Sequence, residues 1–196
     1  MKPYDLPAFI DDVKVVVGST NDEYEITGRI SELMSDLLAS GYRLPSEFIR
    51  PSSDRHVNYP LYIAPDQSWS IASVVWKVGQ RTPVHGHETW GVVGVYSGAE
   101  RELRYDKPTA GEPVRPLKSV GEYVWERGQV TVCCTTDDDV HAVEAVGEEP
   151  TIGIHVYGAN LGTLSRPMFD PATGVVRWFV SGWDTPVADD GERQAS

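Results

Sequence analysis

The sequence predicts a mostly β protein, a sandwich or barrel of short strands preceded by α-helices. From residue 70 onward, short runs of β-branched and aromatic residues alternate with clusters of turn-forming residues. Before that point, apolar residues recur at the three- and four-residue spacing of a helix. The apolar runs are too short to cross a bilayer, so the chain is expected to fold around its own core.

Two helices are predicted in the first 45 residues, which we treat as an N-terminal helical segment (1–45). The first spans 6–17. Thr20 or Asn21 is expected to cap the second, and Gly41 to end it. The apolar positions of the second helix have helical spacing: Ile26, Ile30, Leu33, Met34, Leu37 and Leu38.

Eight strands are predicted in the β domain, which is expected to span 46–184. A proline-rich turn region, 45–65, precedes them, and a flexible tail, 185–196, follows. Turns are expected at Ser97–Gly98, Lys107–Pro108, Gly111, Arg127–Gly128 and Gly147. The predicted strands are 71–78, 90–97, 101–105, 123–126, 129–135, 141–146, 151–157 and 175–180.

The charge balance excludes some partners. The 196 residues carry 17 lysines and arginines against 29 aspartates and glutamates, a net charge of −12. This acidity argues against nucleic acid and against an anionic membrane surface. The N-terminus has no signal-peptide core, and the neighbouring Cys133 and Cys134 could bridge only with strain, so two reduced thiols in a cytoplasmic protein are expected. A monomer or small homo-oligomer is expected.

Two histidines, His85 and His87, are spaced so that on an extended segment both point to one face. Each imidazole could then give a nitrogen to one metal ion, and His141, in a later β-rich run, could be a third ligand. Imidazole suits iron, zinc, copper and nickel alike. Glu88 follows His87 directly and would face away on a strand. The alternative for His141 is an exposed histidine at a strand end.

The segment 79–98, GQRTPVHGHETWGVVGVYSG, resembles the first motif of the cupin superfamily, with its glycine, five residues, His-x-His and closing glycine. His141 falls where the second cupin motif has its histidine. The resemblance implies a double-stranded β-helix, or jelly-roll barrel, with a metal inside. Gly91 stands at the position of the usual acidic ligand, and Ala145 where asparagine is common, which leaves a three-histidine ligand set.

A second block, 153–166, GIHVYGANLGTLSR, is similar to the thiol dioxygenases, the group of cysteine and 3-mercaptopropionate dioxygenases. This resemblance extends over about residues 44–183, including the closing FVSGW. It implies an Fe(II) enzyme that oxidises a small thiol to its sulfinic acid with O2. Leu61 stands where the animal cysteine dioxygenases have an arginine, so the implied substrate is a thiol acid such as 3-mercaptopropionate, with cysteine left open.

The same resemblance implies roles for individual residues. Tyr157 and His155 match two members of a Ser-His-Tyr relay beside the metal, with Gly153 in place of the serine. Arg166 matches the arginine that binds the substrate carboxylate. Trp90 is expected to line the substrate pocket or to pack beneath it.

Alternation along 151–157 predicts that the relay side chains share one face of their strand. Gly153, His155 and Tyr157 would look into the barrel, while Ile152, Ile154 and Val156 would pack outward. Two other functions stay open at this point. The chain could be a cupin metalloenzyme of other chemistry, an oxygenase or an isomerase, or a non-catalytic module that binds a metal or small ligand.

Overall fold

In a computed structural model that describes residues 4–108 and 113–186, two helices precede two antiparallel sheets. Among these residues no helix is long and apolar enough to cross a membrane. The elements, in chain order, are α1 Leu6–Val17, α2 Glu23–Ala39, β1 Val57–Ile63, β2 Ser70–Trp76, β3 Val84–His85, β4 Gly91–Ser97, β5 Ala99–Tyr105, β6 Ser119–Glu126, β7 Val130–Cys133, β8 His141–Val146, β9 Thr151–Tyr157, β10 Arg166–Phe169 and β11 Val176–Phe179.

The strand order is that of a jelly-roll barrel. A five-stranded sheet runs β1-β2-β9-β4-β7, and a six-stranded sheet runs β11-β10-β3-β8-β5-β6. From β3 to β9 the chain passes repeatedly between the two sheets, so strands distant in sequence become neighbours. The inner faces of both sheets line one cavity. The predicted fold class, a mostly β double-stranded β-helix with N-terminal helices, is confirmed.

The central strand β9 is buried on both faces. Ile152, Ile154 and Val156 face outward and join the hydrophobic core beneath the helices. His155 and Tyr157 face inward and line the cavity, as the alternation predicts. The five-stranded sheet therefore separates an apolar layer from a polar barrel interior.

Each helix begins at an aspartate. The Asp5 carboxylate accepts a hydrogen bond from the Ala8 N–H at 3.1 Å, and the Asp22 carboxylate accepts one from Glu25 at 3.0 Å. The expectation of Thr20 or Asn21 as the second cap is wrong, because Asp22 is the residue whose side chain reaches the free amides of the first turn. α2 ends as predicted, since Gly41 follows its C-cap with φ +76°.

Three strands escaped the sequence analysis. The expected turn region 45–65 contains β1, which pairs with β2 at the edge of the sheet, where Pro60 is tolerated. β3 and β10 are only two and four residues long, too short for an alternating pattern. The predicted turn at Gly111 and residues 187–196 of the predicted tail lie outside the described residues.

The helix layer predicts a large loss of stability for Phe9→Ala, because Phe9 on α1 is fully buried in the hydrophobic core that the helices share with the five-stranded sheet. We expect the free energy of unfolding, measured by urea denaturation, to fall by about 3–5 kcal/mol. Val15, on the opposite side of α1, is 65 % exposed. Val15→Ala should change stability by less than about 0.5 kcal/mol. Equal effects of the two variants would contradict the proposed packing.

Candidate metal centre

Three histidines converge at one end of the barrel interior. His85 on β3 lies directly opposite His141 on β8, and His87 lies two residues beyond His85. One ligand nitrogen from each ring lies within 4.8 Å of the other two, and the ring centroids are 4.9–5.0 Å apart. All three side chains are buried. The alternative of an exposed His141 at a strand end is therefore wrong.

The chain bends after the His-x-His pair and not between its two histidines. Strand β3 ends at His85, the Gly86 N–H donates to the Pro167 carbonyl at 3.0 Å, and the bend comes at Glu88, which has a positive φ of +56°. Gly86 passes between Pro167 and the Asp139 carboxylate, where a Cβ would lie 3.1–3.2 Å from both. Glu88 points toward Lys107 at 3.7 Å. His87 therefore joins the other two rings on the same side as His85, as the spacing of the pair predicts.

Each histidine is held from behind through its Nδ1 atom. His85 Nδ1 donates to the Pro83 carbonyl at 3.0 Å, and His141 Nδ1 donates to Glu102 Oε1 at 2.6 Å. His87 Nδ1 lies 3.4 Å from Asp139 Oδ1. Because carbonyl and carboxylate oxygens only accept, Nδ1 of His85 and of His141 carries the proton, and the Nε2 of each of these rings is left with a free lone pair.

Asp139 fixes His87 twice. Its carboxylate also accepts the His87 backbone N–H at 2.7 Å and receives Lys107 Nζ at 2.6 Å. Burial opposes ionisation, but the hydrogen bonds to His87 and Lys107 lower the pKa of Asp139 to about 2. Burial likewise opposes ionisation of Glu102, while its contacts with His141 and Arg104 lower its pKa to about 2. Both acids are therefore charged at neutral pH.

The imidazoles of His85 and His87 are neutral at neutral pH. Burial, followed by the charges of His141 and His87, lowers the pKa of His85 well below its usual value. Burial also lowers the pKa of His87 to about 4, although Asp139 opposes the shift. A metal binds only the unprotonated ring, so these pKa values prepare the site to bind without competition from protons at neutral pH.

These residues fit a divalent metal ion. Metal–imidazole bonds are about 2.0–2.1 Å long, which puts two ligands of one ion at most about 4.2 Å apart. Small side-chain rotations bring the three nitrogens from their 4.8 Å limit into that range. Glu102 and Asp139 support the ligands through hydrogen bonds and are not part of the ligand group. The centre is a three-histidine site whose metal is not fixed by the ligand type.

The ligands open onto a small cavity inside the barrel, of about 40 Å³. Tyr157 lines it and stacks on the His87 ring, with 5.4 Å between the centroids. The Tyr157 hydroxyl and His155 Nδ1 are hydrogen-bonded at 2.9 Å. The structure therefore brings the predicted pair Tyr157 and His155 together beside the metal ligands.

Arg166 also lines this cavity, at the start of β10. It is 5 % exposed, donates from Nη2 to Ser181 Oγ at 3.1 Å, and lies 4.8 Å from the Phe179 ring centroid. Arg166 has no acidic partner among the residues that the structure describes. A buried guanidinium without a counter-charge is costly, so an anionic ligand would be bound favourably here.

Trp90 has a different position. It is buried in the hydrophobic core beneath the helices, with its indole against Gly158, and it does not line the metal cavity. Leu61 packs against the same core. The structure thus brings Arg166, but not Trp90, to the metal ligands.

Several residues of the site escaped the sequence analysis. Glu100 and Glu102 both face into the barrel. On β5 charged residues occupy both faces, at 100, 101, 102 and 104, so alternation does not show which face is buried. Cys133 Sγ lies 3.6 Å from His87 Nδ1, a contact that follows from the pairing of β7 with β4 and not from its sequence.

No protein-family model matches the chain. Among solved structures, it is similar to an uncharacterised double-stranded β-helix protein of Klebsiella pneumoniae, with 18 % identity, 60 % of this chain and 90 % of that one covered, and a TM-score of 0.43. An RmlC-like cupin protein of Desulfovibrio desulfuricans is 22 % identical, with 58 % of this chain and 92 % of that one covered and a TM-score of 0.41. An oxalate oxidase in complex with glycolate is 16 % identical, with 56 % of this chain and 53 % of that one covered and a TM-score of 0.43. At these values function must be argued from the site itself.

The hydrogen bond from His141 to Glu102 predicts that Glu102→Gln weakens metal binding. Loss of the carboxylate behind His141 should lower the affinity for Fe(II) by about 10–100-fold, measured anaerobically by competition with a coloured chelator. Glu144→Gln is the matched control, because Glu144 lies on the same strand as His141 but pairs with Arg101 on the outer face. A Glu102→Gln protein with unchanged affinity would contradict this support role.

The buried histidines predict an acid-sensitive metal-free protein. Burial lowers the pKa of each of four histidines in the folded protein. Below pH 6.5 the unfolded chain therefore binds more protons than the folded one, and the free energy of unfolding falls by about 1.4 kcal/mol per pH unit for each histidine. Glu100, whose pKa burial and Glu102 raise to about 8, offsets one of the four. The melting temperature should fall between about pH 7 and pH 5; a constant or rising one would contradict the assignment. The four are His56, His85, His87 and His155.

Proposed function

We propose that this protein is an iron-dependent thiol dioxygenase, which converts a small thiol and O2 into the sulfinic acid. The observation that supports it best is that one cavity is lined by a three-histidine cluster, by a hydrogen-bonded Tyr–His pair and by a buried arginine with no acidic partner among the described residues. In the balanced reaction both oxygen atoms of O2 are bonded to the sulfur, which is oxidised, and no other reductant is needed.

The charge of the centre favours an anionic substrate. Three neutral imidazoles leave the full positive charge of a divalent ion available, whereas a carboxylate ligand would cancel part of it. Fe(II), when bound, would supply the redox chemistry that joins a thiolate to O2. Glycine at position 91 keeps that space open, since a Cβ there would lie 3.0 Å from both Cys133 Sγ and the Tyr157 ring.

Arg166 would anchor the other end of the substrate. Its planar guanidinium matches a carboxylate by paired hydrogen bonds, and burial strengthens such a contact. A cavity of about 40 Å³ leaves room for only a small molecule. A short thiol acid, such as 3-mercaptopropionate, satisfies both the metal and the arginine, and cysteine is the nearest alternative.

Tyr157 and His155 would position the reacting groups. Burial raises the pKa of Tyr157 far above its ordinary value, so its hydroxyl keeps its proton. With the ring stacked on His87, that hydroxyl is able to donate a hydrogen bond toward the metal-bound substrate. A cytoplasmic location accords with the two free cysteines, Cys133 and Cys134.

Oxygen consumption with a panel of thiols tests the proposal directly. Protein loaded anaerobically with Fe(II) is mixed with 3-mercaptopropionate, cysteine or cysteamine, and the sulfinate is identified by mass spectrometry. Thiol-dependent O2 uptake with sulfinate formed in equal amount supports a thiol dioxygenase. Metal binding without turnover of any thiol would instead favour the non-catalytic module, and turnover of other substrates would favour a different metalloenzyme.

Arg166→Ala should separate carboxylated from uncarboxylated thiols. We expect the KM for 3-mercaptopropionate to rise by about 10–100-fold, the equivalent of a charged hydrogen-bonding pair, while oxidation of cysteamine is unchanged. Arg177→Ala, an exposed arginine of the same hairpin, is the control. If Arg166→Ala affects both thiols equally, the guanidinium does not anchor a carboxylate.

A further inference from the structure

Besides Arg166 Nε, three buried polar atoms of the cavity lining have no hydrogen-bond partner among the described residues. They are Glu100 Oε2, Trp76 Nε1 and His155 Nε2. Buried polar atoms in native proteins are nearly always paired, either with the protein or with ordered water. Three such atoms around one cavity therefore need a common explanation.

His155 is central to this group. Its Nδ1 is bonded to the Tyr157 hydroxyl, so its Nε2 is on the other side of the ring, away from Tyr157. That side of the ring occupies the space next to Gly153, where a Cβ would collide with Nε2. The absence of a side chain at Gly153 thus gives the ring its position and leaves Nε2 to find a partner elsewhere in the cavity.

Glu100 and Trp76 are the polar neighbours that remain. The Trp76 ring lies 5.8 Å from the His155 ring, measured between centroids. Glu100 is 2 % exposed and close enough that its charge would raise the pKa of Tyr157. Burial and the charge of Glu102 raise the pKa of Glu100 to about 8, so it carries a proton at neutral pH and is able to donate it in a hydrogen bond.

A water molecule is the natural bridge between these atoms. None of these atoms forms a hydrogen bond with another, so a bridging group is needed to satisfy them. A site of about 10–15 Å³ with two to four polar partners is enough to hold a water, and this cavity provides about 40 Å³.

We propose that Glu100, through one internal water that Trp76 also contacts, holds His155 in the tautomer that carries its proton on Nδ1. The water, held by the acid form of Glu100, donates to His155 Nε2. His155 Nδ1–H then donates to the Tyr157 oxygen, which directs the tyrosine hydrogen toward the substrate. Glu100 is a positioning residue, acting through His155, and its effect on turnover rests on the proposed function.

The tautomer is measured without any assay of turnover. Histidine labelled with ¹⁵N is incorporated into the full-length protein, which is loaded with diamagnetic Zn(II), and long-range ¹H–¹⁵N correlations show which His155 nitrogen carries the proton. In the unmodified protein we expect the proton on Nδ1. A proton on Nε2 would overturn the proposal, whatever reaction the protein catalyses.

Substitutions at position 100 test the cause. Glu100→Leu removes the donor and should shift the His155 population toward the other tautomer, whereas Glu100→Gln keeps a donor and an acceptor and should preserve Nδ1–H. Trp76→Phe should have a smaller effect in the same direction, and serves if Glu100→Leu does not fold. Glu126→Leu, an exposed acid on the neighbouring strand β6, is the control. An unchanged tautomer in both Glu100→Leu and Trp76→Phe would refute the bridge.

Kinetics distinguish this proposal from the proposed function. If thiol oxidation is observed, Glu100→Leu should lower kcat about 10–100-fold with little change in KM, because Arg166 and the metal ligands are untouched, and Glu100→Gln should restore most of it. If no thiol is oxidised but the tautomer responds as described, the Glu100 bridge stands and the thiol dioxygenase proposal fails. If thiol oxidation is normal in Glu100→Leu, Glu100 has no positioning role.

Discussion

The whole arrangement depends on one constraint: polar and charged side chains point into the barrel interior, where bulk water cannot compensate them. Such groups are stable only when they are paired, neutral or completed by a ligand. The three histidines of the candidate metal centre satisfy this condition through Nδ1: His85 donates to Pro83, His141 donates to Glu102, and His87 lies 3.4 Å from Asp139. Those hydrogen bonds orient each ring and leave its other nitrogen for the metal.

The five-stranded sheet makes this interior possible because its outer face is apolar and its inner face carries polar side chains. Its outer face is apolar and packs against α1 and α2, so the stability of the fold does not have to come from the barrel interior. Its inner face is free to carry His155 and Tyr157, whose polar atoms would be unfavourable in a hydrophobic core. Stability and chemistry thus lie on opposite sides of one sheet.

The buried acids of the barrel are of two kinds, those that are charged and paired with a basic group and one that is neutral. Glu102 and Asp139 contact imidazoles and basic side chains and are charged, whereas Glu100 has only burial and a neighbouring acid and keeps its proton. Arg166 keeps its charge without an acid beside it. In one small cavity the barrel therefore combines a cation that needs an anion, a neutral acid able to donate, and ligands for a metal.

Sequence reasoning found the features that depend on local pattern. Helix α1 and strands β8 and β9 have the predicted bounds, and the three histidines converge as expected. It missed β3 and β10, which are too short for a periodic signal. It also did not identify the acids behind the ligands, since Glu102 and Asp139 lie far from their histidine partners in sequence.

By itself, then, the sequence determined the fold class, the three candidate ligand residues and which side chains of β9 face inward. These features depend on periodicity and on residue types within short stretches of the chain. Only the tertiary structure decided which groups stand behind the ligands, that Trp90 lies outside the cavity, and that Glu100, Trp76 and His155 share one enclosed space. Those facts depend on strand pairing between distant segments and on burial, and burial is a property of the assembled barrel rather than of any one stretch of chain.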